Sequence, residues 1–279
     1  MATGTAAVET ETDFDGINRR TYARSDVVHH YGSREGSVDR GEQLAFDALE
    51  ARLASGTLLD IGIGGGRTIP LLLPRARHYV GIDYVKENVD AAAACHPSAD
   101  LRTLDARDLP WDDGSIDGVV FSFNGIDSVG FDARQRILQE IYRVLRPGGP
   151  FVFSCLNLDG PSARARIELP LRTRDGLLPL LKDVARLPFW AFRCLRSGIP
   201  VYLQARSLRT DVPAGFALIQ APIHDFGLLL MFSTVPAMAE QLSRIGFDLE
   251  QVHGEDGLRL DPREPARSSR WCYFIARKP

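Results

Sequence analysis

The chain has 279 residues, 44% of them hydrophobic and 25% charged, and a net charge of −3. That balance excludes global disorder and fits one large domain or a core with a sizeable insertion, and the net charge gives no reason to expect nucleic acid. The longest apolar runs, such as Gly227 to Phe232, fall far short of the ~18–20 residues of a membrane span. The first residues lack the basic and apolar regions of a signal peptide, so none is expected. The four cysteines (Cys95, Cys155, Cys194, Cys272) are scattered, as reduced cytoplasmic thiols are, rather than spaced as a disulfide or zinc framework. Thirty of the 33 basic residues are arginine, the composition of a GC-rich genome.

Residues 1–14 are small, polar and acidic and are expected to form a disordered tail. Residues 15–56 read as a helical cap. Val27, Val28 and Tyr31 mark a short helix with Ser25 or Asp26 as its cap, and Leu44, Ala45, Ala48, Leu49 and Leu53 form an apolar stripe on another. Residues 57–158 alternate between strand and helix. Thr57 to Ile61, Tyr79 to Asp83, Leu101 to Leu104, Ile116 to Phe123 and Phe151 to Ser154 read as strands. Thr68 to Leu73, Lys86 to Ala94 and Arg134 to Leu145 read as helices. Apolar strands spaced by helices imply an α/β fold, a parallel sheet covered on both faces.

The rhythm breaks after Asn157. Residues 161–210 carry nine arginines and one lysine against three acids. Residues 159–232 are expected to be a mostly helical insertion, a substrate lid, with two strands around His224-Asp225. Its basic surplus is open to three readings: a solvated face, a pocket for an anionic group, or a membrane-surface helix. Pro179 and Pro188 argue against one long amphipathic helix. Residues 233–279 complete the core: Ser233 or Thr234 caps a helix with Pro236 in its first turn and Gly246 at its end, and Leu249 to His253 and Trp271 to Ala276 are the last strands.

The informative stretch is Asp60-Ile61-Gly62-Ile63-Gly64-Gly65-Gly66-Arg67-Thr68. A dinucleotide fingerprint, Gly-x-Gly-x-x-Gly, fails on Arg67 or on Ile69 according to where it starts. What is present is Asp-x-Gly-x-Gly-x-Gly. Asp83 follows at the tip of the next strand, where a carboxylate can accept from both hydroxyls of a ribose. Asp60, Asp83 and Asp105 each fall at or just past a strand's C-terminal end, whereas Asp112, Asp113 and Asp117 read as turn residues.

With these motifs, and with Asp105-Ala106-Arg107-Asp108-Leu109-Pro110, Gly114 to Val120 and Glu140 to Gly149 following in order, the chain resembles the class I S-adenosylmethionine-dependent methyltransferases over roughly 57–158 and 233–279. The resemblance implies a Rossmann-like, seven-stranded, mostly parallel sheet with helices on both faces, and S-adenosylmethionine as cofactor. It places Asp60, Gly62, Gly64, Gly66, Asp83, Tyr84, Asp105, Ala106, Phe121 and Phe123 around that cofactor, with Asp105 accepting from the adenine amino group. It implies methyl transfer to a small molecule.

Methyl transfer needs alignment and exclusion of water more than a fixed catalytic group. Three segments are expected to converge over the reacting centre: Tyr22 with His30 and Tyr31, Asn124 at the end of the fourth strand, and Asn157 at the end of the fifth. His224 joins them, and the histidines His29, His30 and His224 are candidate bases for a hydroxyl. Solvated histidines and plain turns at Asn124-Gly125 and His224-Asp225 are the ordinary alternatives. No metal site is expected. The lid aromatics Phe189, Trp190, Phe192, Tyr202, Phe216, Phe226 and Phe232 are expected to line a pocket for a bulky, largely apolar acceptor, with O-, N- and C-methylation all open. Bacterial secondary metabolism, a cytoplasmic location and no stable membrane insertion are expected, and a homo-oligomer is compatible with the sequence. The rivals are a cyclase-like protein on the same fold and a non-enzymatic cofactor-binding module.

Overall fold

The computed structural model describes residues 16–32, 36–53, 56–164, 177–208 and 212–279. The tail expected over 1–14 lies outside the described residues, as do 165–176 and 209–211 of the insertion. The strands are β1 (Thr57–Ile61), β2 (His78–Asp83), β3 (Asp100–Thr103), β4 (Gly118–Phe121), β5 (Pro150–Leu156), β6 (Phe216–Ala221), β7 (Leu228–Ser233), β8 (Asp248–Gly254) and β9 (Trp271–Arg277). Seven of them form one sheet in the order β3-β2-β1-β4-β5-β9-β8. β1 to β5 pair parallel, and β9 runs antiparallel between β5 and β8. The Rossmann-like expectation holds.

The helices are α1 (16–22), α2 (Ser25–Gly32), α3 (Arg40–Leu53), α4 (Ile69–Leu72), α5 (Lys86–Cys95), α6 (Phe131–Val144), α7 (Leu177–Leu208) and α8 (Val235–Ile245). Strand side chains alternate between the faces of a sheet, so each face acquires its own core. Leu58, Val120, Val152 and Ile275 pack under α3, α4 and α5. Leu59, Val119, Phe151 and Phe153 pack under α6 and α8. Thr234 is the residue that caps α8, accepting from the Ala237 N–H at 3.3 Å, and Gly246 closes that helix at φ +116°.

Three local expectations change. On α3 the stripe is centred on Ala45, Phe46, Leu49 and Leu53, all fully buried, while Leu44 and Ala48 lie at its half-buried edge. β4 is shorter than Ile116 to Phe123: Ile116 makes an isolated bridge to Leu145, and Phe123 and Asn124 leave the strand at φ +52° and +63°. Finally, α7 runs 32 residues in spite of its prolines. Pro179 falls in the first described turn, and Pro188 and Pro200 lie inside the helix. Each interior proline removes one helical hydrogen bond, at a cost of about 3 kcal/mol or more. Packing offsets it: Val201 and Ala205 are buried with Ile17 and Leu229, and the Gln220 amide of β6 donates to the Gly198 carbonyl at 2.8 Å.

β6 and β7 form a separate antiparallel hairpin against which α7 packs. The hairpin joins the core through a bridge between Asn157 and Ser233. Asn18 of α1 stitches the two together. Fully buried, it donates to the Ser128 and Leu229 carbonyls, both at 2.7 Å, and accepts from the Leu229 N–H at 3.0 Å. Among the described residues no helix is long and apolar enough to cross a membrane.

Candidate cofactor cleft

From β1 the chain builds outward through β2 and β3, and from β4 it builds the other way through β5. Sheets of this kind leave a ligand crevice between the C-terminal ends of the two strands where the direction switches. Here that crevice is a cleft lined by residues at and beyond the ends of β1, β2, β3 and β4.

One wall is the glycine loop after β1. Gly62 adopts φ +70°, and a Cβ there would stand 2.7 Å from the Phe121 ring, so both conformation and space demand glycine. The Gly64 N–H donates to Asp83 at 2.9 Å, and the Val85 N–H donates to the other Asp83 oxygen at 2.8 Å. Burial raises the Asp83 pKa, and these two backbone bonds oppose the rise. Oδ2 also accepts from the Asn88 amide at 3.4 Å, whereas Oδ1 takes only the Val85 N–H and retains accepting capacity.

Asp60 lies deeper. It accepts from the Tyr79 hydroxyl at 2.7 Å and the Thr68 hydroxyl at 3.1 Å. Burial pushes its pKa up to about 7 against those two bonds. At the opposite end Asp105 is gripped by Arg107, through its backbone N–H at 2.9 Å and its guanidinium at 2.6 Å. Burial pushes the Asp105 pKa up, but the bonds from Arg107 carry it below the usual carboxylate range.

Arg67, Glu42 and Ser122 stand behind the loop and were not foreseen in the sequence. Arg67 makes a bidentate pair with Glu42 at 2.6 and 2.8 Å, both buried, and its guanidinium lies 4.6 Å from the Phe123 ring centroid. The Ser122 hydroxyl also donates to Glu42. This network ties α3, the glycine loop and the end of β4 into one rigid wall. The signal for it is Glu42, which shares a helical face with Ala45, Phe46, Leu49 and Leu53: a charge inside an apolar stripe needs a buried partner.

The roof comes from the cap and the hairpin. Tyr22 bonds Ser128 at 2.9 Å, and its ring centroid lies 6.1 Å from that of Tyr31. The Tyr31 hydroxyl meets His224 Nε2 at 3.2 Å. His30 packs edge-on against both, at 5.5 Å from Tyr31 and 5.6 Å from His224. His224 is presented by a turn in which His224, Asp225 and Phe226 all adopt left-handed φ of 49–59°. Such conformations are costly for residues with a Cβ. The turn is held by Arg24 and Arg193 on Asp225, at 2.8 and 2.6 Å, and by Gln220 on the Phe226 carbonyl at 2.8 Å. Burial, then the proximity of His30 and Arg24, lowers the His224 pKa to about 4.

The comparisons agree with this geometry. Residues 59–153 match a family model described as a methyltransferase domain. A probable S-adenosylmethionine-dependent methyltransferase of Mycolicibacterium smegmatis is 34% identical over 42% of this chain and 45% of its own length. An uncharacterized methyltransferase of Mycobacterium tuberculosis is 31% identical over 60% of this chain and 62% of its own length. The chain thus spans between about half and three-fifths of these relatives. An O-methyltransferase, resE, of Aspergillus sclerotiorum is 31% identical over 61% of this chain and 71% of its own length. The chain belongs to the class I S-adenosylmethionine-dependent methyltransferases. Its fold is shared by the solved 1,6-didemethyltoxoflavin-N1-methyltransferase of Burkholderia thailandensis, with a TM-score of 0.56, 17% identity, and coverage of 100% of this chain and 92% of that one.

The family's cofactor is S-adenosylmethionine, and the residues present fit it. Asp60 is a buried acid whose hydrogen bonds come from two neutral hydroxyls, so a cationic ammonium beside it would restore its charge. Asp83 and Asp105 border the same cleft, at the end of β2 and just beyond the end of β3. Of the residues expected around it, Asp60, Gly62, Gly64, Asp83, Tyr84, Asp105, Ala106, Phe121 and Phe123 all border the cleft. Gly66 does not: it turns the loop into α4, and a Cβ there would meet His96 at 3.0 Å.

Of the residues expected over the reacting centre, the fold brings Tyr22, His30, Tyr31 and His224 together, but only Tyr22 and Tyr31 border the cleft, with His30 and His224 packed against Tyr31 outside it. Asn124 sits between the cleft residues Phe123 and Gly125, with its N–H on Ser154 at 2.8 Å and its side-chain oxygen buried without a hydrogen bond. Asn157 is elsewhere. Its amide, 1% exposed, donates to the Ala266 and Ser269 carbonyls, and its oxygen accepts from Asp159. It staples the C-terminal segment to β5 and has no face toward the cleft. The expected aromatic lining is corrected too. None of Phe189, Trp190, Phe192, Tyr202, Phe216, Phe226 and Phe232 borders the cleft. Phe232 is buried in the hairpin core, Phe216 packs on Phe131, and Phe189, Phe192 and Tyr202 face outward from α7.

Proposed function

We propose that this chain is a methyltransferase that carries the S-methyl group of S-adenosylmethionine to a bulky, largely apolar small molecule, in a setting of bacterial secondary metabolism. The observation that carries the reading is the roof of the cleft. Tyr22 and Tyr31 close over Phe121, Phe123, Val129 and Ile137. Apolar walls with a few placed polar groups suit an acceptor that has little to offer water. The names of similar proteins support a small-molecule acceptor: one is an O-methyltransferase and one an N1-methyltransferase. O, N and C acceptors all remain compatible with these walls.

When bound, the cofactor supplies a sulfonium methyl open to in-line displacement. The chain's own residues position and seclude it. Asp83 would hold the ribose hydroxyls and Asp60 the ammonium. Asp105 would accept from adenine while still paired with Arg107. Tyr22 and Tyr31 exclude water from the cleft. Burial, with His30 and Arg24 nearby, lowers the His224 pKa to about 4, and its ring does not border the cleft. Its Nε2 shares a hydrogen bond with the Tyr31 hydroxyl at 3.2 Å, which fixes the orientation of Tyr31 at the cleft wall. We therefore read Tyr31 as the acceptor-facing residue, with His30 and His224 positioning it.

The test is a turnover screen with apolar and hydrophilic acceptors, each with and without EDTA. The expected result is S-adenosylhomocysteine formed in step with a methylated apolar product, unchanged by EDTA. Tyr31→Phe should lower kcat while leaving cofactor affinity intact. Product without S-adenosylhomocysteine would favour cyclase-like chemistry, and a preference for small hydrophilic acceptors would refute the apolar pocket.

A further inference from the structure

α7 is amphipathic in an unusual sense. Its inner face, with Asp183, Gly198, Val201 and Ala205, is buried, and the opposite face is apolar yet exposed. Leu181, Val184, Phe192, Leu195, Ile199 and Leu203 recur at helical spacing along that outer face. Phe192 and Leu195 are each 58% exposed, Leu203 61%, and Phe189 at the edge 66%. A row this long, about 33 Å by helical rise, exceeds the scattered apolar residues of an ordinary surface.

The charges choose the occupant. Lys182, Arg186, Arg196 and Arg206 are exposed on or beside the row. The one acid of the helix, Asp183, is buried, so no carboxylate of α7 reaches this surface. Two copies paired through this face would set like charges against each other. The helix is long enough to span a bilayer but not apolar enough to do so. An apolar face bordered by basic residues and an aromatic edge is the pattern of a helix lying in the headgroup region of an anionic bilayer. Pro188 and Pro200 leave the helix continuous.

We propose that the outer face of α7 docks the protein on the surface of an anionic phospholipid membrane. The inner face of the helix packs on the turn that carries His224 to Tyr31, so lipid would lie roughly one helix diameter, ~10 Å, from that turn. Docking is read without turnover, so its failure and the failure of the acceptor reading are separate results.

The experiment is co-sedimentation of the full chain with phosphatidylcholine vesicles, with and without about a third phosphatidylglycerol. Binding is expected to the anionic vesicles and to weaken at high salt. Phe192→Ser with Leu195→Ser should lower partitioning roughly tenfold or more. Arg196→Gln and Arg206→Gln should each lower it roughly fivefold. Circular dichroism checks that each variant is folded. Equal or no binding to the two vesicle types overturns the proposal. So does a dimer in analytical ultracentrifugation that Phe192→Ser with Leu195→Ser converts to monomer, because a second copy would then be the occupant.

Discussion

Burial keeps the Asp60 carboxyl protonated up to about pH 7, whereas the same group ionises near 3.8 when exposed. Between those values the folded protein holds a proton that the unfolded chain has released. Its stability should therefore fall as pH rises from about 4 to 7 and level off above. Thermal melts across that range should show the fall, and Asp60→Asn should flatten it. Cofactor affinity should move the other way. A cationic ammonium favours the ionised carboxylate, so titration calorimetry with S-adenosylhomocysteine should show tighter binding at pH 8 than at pH 6, a difference that Asp60→Asn removes. Asp83→Ala should cost at least about tenfold in the same affinity, since each lost charge-assisted bond to a ribose hydroxyl is worth roughly 1.5–3 kcal/mol. Unchanged affinity would place the ribose elsewhere.

Among the elements, the lid depends on α1 more than its short, polar sequence suggests. Asn18 bonds the turn after β4 and the edge of β7 at once. Asn18→Ala leaves those buried backbone groups unpaired, at a cost of about 2–4 kcal/mol. Denaturant unfolding should show that loss, and hydrogen exchange should show it concentrated in β6 and β7. This dual role was not legible from α1 itself, because an asparagine in a polar helix looks like any solvated residue. By contrast the caps and breaks of α8 were legible, because Thr234, Pro236 and Gly246 act through their own backbone.

For the molecule as a whole, both cores under the sheet draw on residues from Val38 onward. Ile17 packs with Val201, Ala205 and Leu229, and Tyr22 packs against the hairpin core. Deleting residues 1–32 should therefore leave a cooperatively folded sheet, with the hairpin open to proteolysis and turnover abolished. Melting curves, limited proteolysis and product assays on the truncated chain would show all three. Full activity after the deletion would mean that Tyr22, His30 and Tyr31 do not close the site, and loss of soluble protein would mean that the cap belongs to the core.

The order of strands and helices over 57–158, the glycine loop and the acids at the strand tips were determined by the sequence alone. Each rests on a local signal: apolar runs buried on both faces, glycines at positive φ, carboxylates where a parallel sheet ends. The roof residues Tyr22, His30, Tyr31 and His224 could be nominated one by one, but only the folded chain joined them, across some 200 residues of sequence. Asn157 shows the opposite outcome, a polar residue at the right topological place whose bonds are all spent on a distant segment. The lid aromatics show it most plainly. Their composition announced an apolar surface, but which way a helix turns that surface depends on what it packs against. α7 packs its small residues against the hairpin and turns its large ones away from the cleft.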